Sequence, residues 1–170
     1  LKPDDPTSTN SPIIIVEGEK KVLALAEACR KVGLDYLTIG LAGVWSWRGV
    51  KGKTNNENGQ RVDVKGAIND LDSINFENRQ VIILFDANVA TNASVKAARQ
   101  KLAEELNNRG AVVKFADLPA DDPSINGVDD FIYKYGSDSA LAIIDTARPA
   151  RFLNSKNNEQ ALADAKAIVE

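Results

Sequence analysis

The sequence predicts an α/β fold, and three observations carry that prediction. Val81 to Phe85 is a run of β-branched and aromatic residues, the composition of a strand buried on both faces, and it stops at an acid, Asp86. Ile13 to Val16 is a second such run, and it stops at Glu17. Each run is followed by apolar residues at helical spacing that close on a glycine, so a strand, an acidic turn and a helix are written twice in one chain. Open α/β sheets bind ligands where the carboxyl ends of interior strands open into a crevice between helices, which makes both acids candidate site residues.

Taken in order, residues 1–12 hold three prolines among Ser, Thr, Asn and Asp, the composition of a linker or disordered lead-in. After Glu17 and Gly18, the spacing of Val22, Leu25, Ala26, Cys29 and Val32 predicts a helix up to Gly33, and Tyr36 to Ile39 reads as the next strand. Gly40 to Gly66 is different. It is glycine-rich, contains Trp45 and Trp47, and sets Arg48, Lys51, Lys53, Arg61 and Lys65 against Glu57 and Asp63, a net charge of +3 in an acidic chain. This stretch reads as a long mobile loop, and long loops in compact domains are usually functional or disordered. Residues 67–79 read as one irregular helix around Ile68, Leu71, Ile74 and Phe76.

Beyond Asp86, Thr91 or Asn92 can cap a helix with Val95, Ala98, Leu102 and Leu106 on one face and Gly110 after its last turn. Its charged face, with Lys96, Arg99, Lys101 and Glu105, reads as solvated. Ala111 to Phe115 makes a fourth strand, followed by LPADDPSINGVDDFIYKYG, in which Asp129 or Asp130 opens a short helix through Phe131, Ile132 and Tyr135. Ser137 can cap another helix reaching about Ala147, with Pro149 ending it, and residues 157–169 form a modest amphipathic helix. The expected organisation is a lead-in over 1–12, a domain over 13–147 and a C-terminal helical appendage over 148–170.

Composition narrows the chemistry. The chain has no histidine, which removes Ser-His and Cys-His nucleophile systems and most zinc sites and leaves carboxylates, lysines or a hard metal held through oxygen. Cys29 is the single cysteine and sits on an apolar helix face, as a packed thiol would. The net charge of −3 argues against bulk electrostatic wrapping of nucleic acid, though local basic patches remain open. No apolar run is long enough to cross a bilayer and the first residues are too polar for a secretory signal, so the expected setting is cytoplasmic with no membrane partner. The absence of methionine and the start at Leu1 suggest a piece of a longer polypeptide.

Parallel neighbouring strands would bring Glu17 and Asp86 to one edge of the sheet, with Asn88 and the acids of the 121–130 loop crowding the same crevice. Clustered carboxylates repel unless a cation neutralises them or one holds a proton, and the economical reading is a Mg²⁺ site with few protein ligands and several waters, which would bind phosphate. The bland readings are turn or cap roles for Glu17, Asp86 and Asn88, and helix initiation for Asp129 and Asp130. Trp45 and Trp47 are either core or loop anchors or bases' stacking partners, with Arg48, Lys51 and Lys53 meeting phosphates. Lys20 and Lys21, directly after the Glu17-Gly18 turn, are either exposed helical lysines or phosphate ligands.

The blocks IIIVEGEKKVLAL, GLAGVWSWRG and ILFDANVATNASVKAARQKLAEEL, then a glycine and strand, then LP with NGVDDFI, occur in that order. Together they resemble the Toprim domain of bacterial primases, topoisomerases and related nucleases, and more closely the Toprim-like domain of plasmid and phage replication proteins, where it accompanies primase or helicase modules. The resemblance spans roughly residues 13–136, most of a domain by the size norm. It implies a Toprim-like (Rossmann-like) four-stranded parallel sheet flanked by helices and a nucleotidyltransferase or phosphodiester-transfer activity. In it, Glu17 matches a general acid/base, Asp86 and Asn88 match the pair that holds Mg²⁺ or Mn²⁺, and the later acidic motif falls on Asp129 and Asp130. Implied partners are nucleic acid, DNA first, nucleotides, and helicase or primase domains of the same polypeptide. One position departs from the pattern: Asn88 stands where a second acid is expected, removing a negative charge from a site whose affinity rests on charge. The alternative is therefore a weakened or inactive module that binds single-stranded nucleic acid or a partner domain. A haloacid-dehalogenase-type phosphatase, suggested by ILFDANVAT, leaves Glu17 unexplained.

Overall fold

The computed structural model of the protein describes residues 11–152. Its elements, in chain order, are β1 (Ile13–Glu17), α1 (Glu19–Lys31), β2 (Leu37–Leu41), β3 (Arg48–Asn55), β4 (Arg61–Ala67), β5 (Gln80–Ile83), α2 (Ala93–Asn108), β6 (Val112–Phe115), α3 (Val128–Tyr135), α4 (Ser137–Asp145) and β7 (Arg148–Pro149). The fold is mixed α/β, with a mostly parallel central sheet flanked by helices. The sheet runs β2-β1-β5-β6-β7. Its first four strands are parallel, and β7 adds a two-residue antiparallel edge through Lys114↔Pro149 and Phe115↔Arg148.

The two apolar runs form the interior strands because they can be buried on both faces. Ile13 to Val16 and Val81 to Phe85 are each no more than 2% exposed, and full burial of such a side chain is worth about 1.5–3 kcal/mol. Alternation then divides them between two layers. Ile13, Ile15, Val81 and Ile83 pack with Leu102 and Leu106 of α2, while Ile14, Val16 and Ile82 pack with Leu25 and Cys29 of α1 and with Phe131 and Ile144 of α3 and α4. The connection from β1 leads outward to β2 on one side and that from β5 leads outward to β6 on the other, with α1 and α2 on opposite faces. The strand order therefore reverses between β1 and β5, and the crevice at their carboxyl ends is the topological switch point.

Several local expectations hold in detail. Asn92, rather than Thr91, caps α2, its side chain accepting from Ser94 N and Val95 N at 3.0 and 3.3 Å, and Gly110 beyond the helix takes φ +88°. Cys29 is buried. Val32 and Ala26 are exposed, and Ala28 joins Leu25 and Cys29 on the buried face of α1 instead.

Other expectations are corrected. The stretch read as a mobile loop over 40–66 contains the antiparallel hairpin of β3 and β4, paired from Arg48↔Ala67 to Asn55↔Arg61. Its loop closes on Asn56, whose side-chain oxygen accepts from Asn58 N and Gln60 N, and on Gly59 at φ +75°. Residues 67–79 do not form one helix but a single 3₁₀ turn over Asn69–Ser73. Leu71 and Phe76 are buried and Ile68 and Ile74 pack beside them, so the apolar spacing anchors an irregular connection without a helical ladder. Gly136, not Ser137, caps α4 and joins it to α3 at φ +84°.

Of the expected lead-in, Ser11 and Pro12 are described: Ser11 is buried and donates through Oγ to Asp35 at 2.5 Å. The buried guanidinium of Arg79 donates to Ser11 O. Residues 1–10 and the amphipathic stretch 157–169 lie outside the described residues. No helix among the described residues is long and apolar enough to cross a membrane.

Candidate functional site

The parallel register of β1 and β5 continues past the last paired residues, Leu84 N donating to Ile15 O at 2.9 Å. Two residues on along each strand the acids meet: Asp86 N donates to Glu17 Oε1 at 3.4 Å. Gly18, at φ +80°, turns the chain from β1 into α1 and donates its N–H to Leu41 O. The first turn of α1 then delivers Lys21 to the acids. Its ammonium lies 3.2 Å from Asp86 Oδ1, with both side chains largely covered. The third approach comes from the loop before α3, where Asn126 donates its side-chain amide to Asp86 Oδ2 at 3.2 Å and accepts Ala87 N on its backbone carbonyl at 2.8 Å. A Cβ at Gly127 would collide with the Lys21 side chain and the Asp129 carboxylate, so glycine there permits the two segments to close on each other.

Electrostatically the cluster is a negative centre with one built-in cation. Burial raises the pKa of Glu17, the negative charge of Asp86 raises it further, and the Asp86 N–H and Lys21 only partly offset this. Burial likewise raises Asp86, against the opposing hydrogen bond and charge of Lys21, with Asp129 adding to the rise. Asp129 Oδ1 is buried and has no hydrogen-bond partner. Asp130 faces elsewhere: its Oδ2 accepts from Asn126 N and Gly127 N, both at 3.1 Å, and these backbone donors hold its carboxyl below the usual range. Asp129 is therefore the member of the pair that belongs to the acidic centre, and Asp130 organises the start of α3.

The remaining candidates divide. Lys20 is exposed on α1 and takes no part in the cluster. Asn88 is exposed in the 3₁₀ turn Ala87–Ala90 that follows Asp86, its carbonyl accepting from Thr91 N and Asn92 N. The tryptophans lie beyond the end of β2. Trp47 is buried and Trp45 is 37% exposed, their rings stacked with centroids 6.3 Å apart. Arg48 Cζ lies 5.5 Å from each ring. Trp45, Arg48, Gly49, Val50 and Lys65 line a pocket of about 530 Å³. Lys51 bonds Asn69, and Lys53 sits 3.7 Å from Asp63, both exposed on the hairpin. Two members of the acidic centre were not singled out from sequence, Asn126 and Gly127. They fall within the NGVDDFI block, whose aspartates draw attention away from the residues that position them.

Whether a divalent metal fits can be judged from the donors. Among the described residues no three His, Cys, Asp or Glu side chains are grouped closely enough to cage an ion. Magnesium asks for less, one or two carboxylates with waters and phosphate oxygens completing an octahedron. Glu17 and Asp86 supply carboxylates from adjoining strand ends, joined through the Asp86 N–H, and Lys21 stands against Asp86. The donor set fits Mg²⁺ on condition that Lys21 yields Asp86 Oδ1.

Comparison with known proteins gives three findings. No curated protein matches the chain. Among solved structures, the crystal structure of the zinc-binding and RNA polymerase domains of Aquifex aeolicus primase is similar at a TM-score of 0.45 and 16% identity. The match covers 81% of this chain and 26% of that one, so the chain spans about a quarter of that structure's length. The family model described as "Domain of unknown function (DUF3854)" matches residues 7–139. With most of its length covered by that match, the chain belongs to the DUF3854 family.

Proposed function

We propose that the chain is a Toprim-type, magnesium-dependent module of a plasmid or phage DNA-replication protein, associated with primase or helicase domains, that acts on nucleic-acid phosphodiesters or nucleotides. The observation that carries the reading is the convergence of two acidic residues, 69 apart in sequence, at the switch point of the sheet, where Glu17 Oε1 accepts the Asp86 backbone N–H. Burial and the neighbouring acid raise Glu17, which moves its proton affinity toward the working range of a general acid/base. Asp86, with Asp129 behind it, is the metal-holding group, and Mg²⁺, or Mn²⁺ in its place, would supply charge neutralisation at the phosphate when bound. Lys21, on leaving Asp86, is within reach of a phosphate in the same crevice, and the Trp45-Arg48 surface offers a stacking platform and a cation to a single strand.

The test is Mg²⁺-dependent nicking and primer synthesis by the chain and its Asn88→Asp variant. Activity in either, abolished by Glu17→Gln, supports the reading, and inactivity of both under conditions where the folded state is verified contradicts the catalytic role. A second reading is favoured by one observation, the lysine already seated on Asp86. In it the centre is internally neutralised and the module binds single-stranded nucleic acid or a partner domain without turnover. Strand binding that persists without metal, with no chemistry in either protein, selects it.

A further inference from the structure

A second pocket, of about 630 Å³, opens on the edge of the sheet opposite the tryptophans, and no acid lines it. Its walls carry Lys96 and Arg99 from the first half of α2, Arg148 from β7 and Arg151 just beyond. The ring of Phe115, at the carboxyl end of β6, lies beneath, with Arg99 Cζ 4.4 Å from its centroid. Asp117 is the carboxylate bonded to these cations, accepting from both Arg99 and Arg148, so one acid is shared by two guanidiniums while, among the described residues, Lys96 and Arg151 form no ion pair. The segment after β7 is held in place by Gln100, which donates to Arg151 O at 3.0 Å.

Gathering four cations around one cavity is repulsive, and a single acid offsets only part of that repulsion. The two arginines are pinned by Asp117 with donors to spare, since each guanidinium carries five N–H groups in a planar fork suited to phosphate oxygens. The aromatic ring and the size of the cavity suit an anion attached to a larger body better than a small free carboxylate. We propose that this pocket binds the phosphate groups of a nucleotide or of a nucleic-acid strand, with Arg99, Arg148, Arg151 and Lys96 as the ligating side chains. The inference goes beyond the proposed function and does not rest on it, for nothing in it requires the acids to bind metal or the chain to turn over substrate.

The experiment is a magnesium-free titration of the ¹⁵N-labelled chain with inorganic pyrophosphate, following the side-chain Nε–Hε signals of Arg99 and Arg148. Saturable shifts of both are expected, with affinity reduced about tenfold or more in an Arg148→Gln/Arg151→Gln variant. Both replaced residues are exposed, and an unchanged backbone spectrum verifies the fold. Repeating the titration with a nucleoside triphosphate and with single-stranded DNA separates the sources: the tighter of the two is the ligand. Absence of saturable shifts up to about 20 mM pyrophosphate, far weaker than useful recognition, overturns the proposal. So does undiminished affinity in the double variant. Because metal is absent throughout, failure here leaves the Glu17-Asp86 reading standing, and failure of that reading leaves this one.

Discussion

At the residue scale, the charges of Glu17, Asp86 and Lys21 oppose and offset one another. A carboxyl whose pKa is raised on folding contributes stability that is present below its ordinary value and lost as pH rises through the raised one. Ionised Glu17 therefore opposes folding at neutral pH, and Glu17→Gln, which mimics the protonated form, is expected to raise Tm at pH 7, with the gain vanishing as the pH falls below the ordinary glutamate range. Thermal melts at pH 7 and pH 4 check the sign. Lys21→Ala should act in the opposite direction. It leaves Asp86 largely buried without its cation, a loss at the lower end of the ~3–5 kcal/mol typical of broken buried pairs because both side chains keep some solvent contact. That loss should shrink in acid as Asp86 takes up a proton, and urea unfolding at the two pH values measures it. Both acids were legible in the sequence because each ends an apolar run, but the seat of Lys21 was not. A lysine in the first turn of a helix has the same local pattern whether it faces water or a carboxylate from a strand 65 residues away.

At the scale of elements the hairpin of β3 and β4 is the instructive case. Its glycines and charges read as loop, and its faces are polar enough that neither strand shows an apolar run, yet Asn58-Gly59 followed by alternating Val62 and Val64 is a hairpin signal that was present in the sequence. Trp45 and Trp47, two residues apart before β3, are expected to separate cleanly on substitution. Trp45→Ala should leave stability nearly unchanged and weaken single-stranded oligonucleotide binding about tenfold, within the ~1–3 kcal/mol of one base stack. Trp47→Ala should cost about 3–5 kcal/mol of stability, since that ring is 3% exposed in the core. Fluorescence anisotropy with a labelled oligonucleotide and denaturant unfolding read the two effects. In α2 the apolar face was legible from spacing alone, whereas its charged face looked merely solvated. The pocket there depends on β7, a two-residue strand that no periodicity can announce.

At the scale of the whole molecule, the sheet order β2-β1-β5-β6 follows from two strand-helix units winding outward in opposite directions, and this places Glu17 and Asp86 side by side at the one crevice such a sheet offers. The two units were legible because both interior strands are apolar on both faces. The third segment of the centre, Asn126 to Asp129, was only partly legible, since a loop reaches its position by tertiary closure. Two cationic pockets lie on other parts of the fold, one lined by residues beyond β2 and one beside β6, and Glu17 and Asp86 line neither. In the proposed function, Glu17 and Asp86 together hold a divalent cation in exchange for Lys21. The most direct measurement of that exchange is a Mg²⁺ titration of the isotope-labelled chain that follows the carboxyl carbons of Glu17 and Asp86 and the ammonium of Lys21. Saturable shifts of both carboxyls are expected at millimolar Mg²⁺, with the Lys21 signal moving in step as its contact to Asp86 is released. Carboxyl and ammonium signals that stay fixed throughout the titration would contradict it.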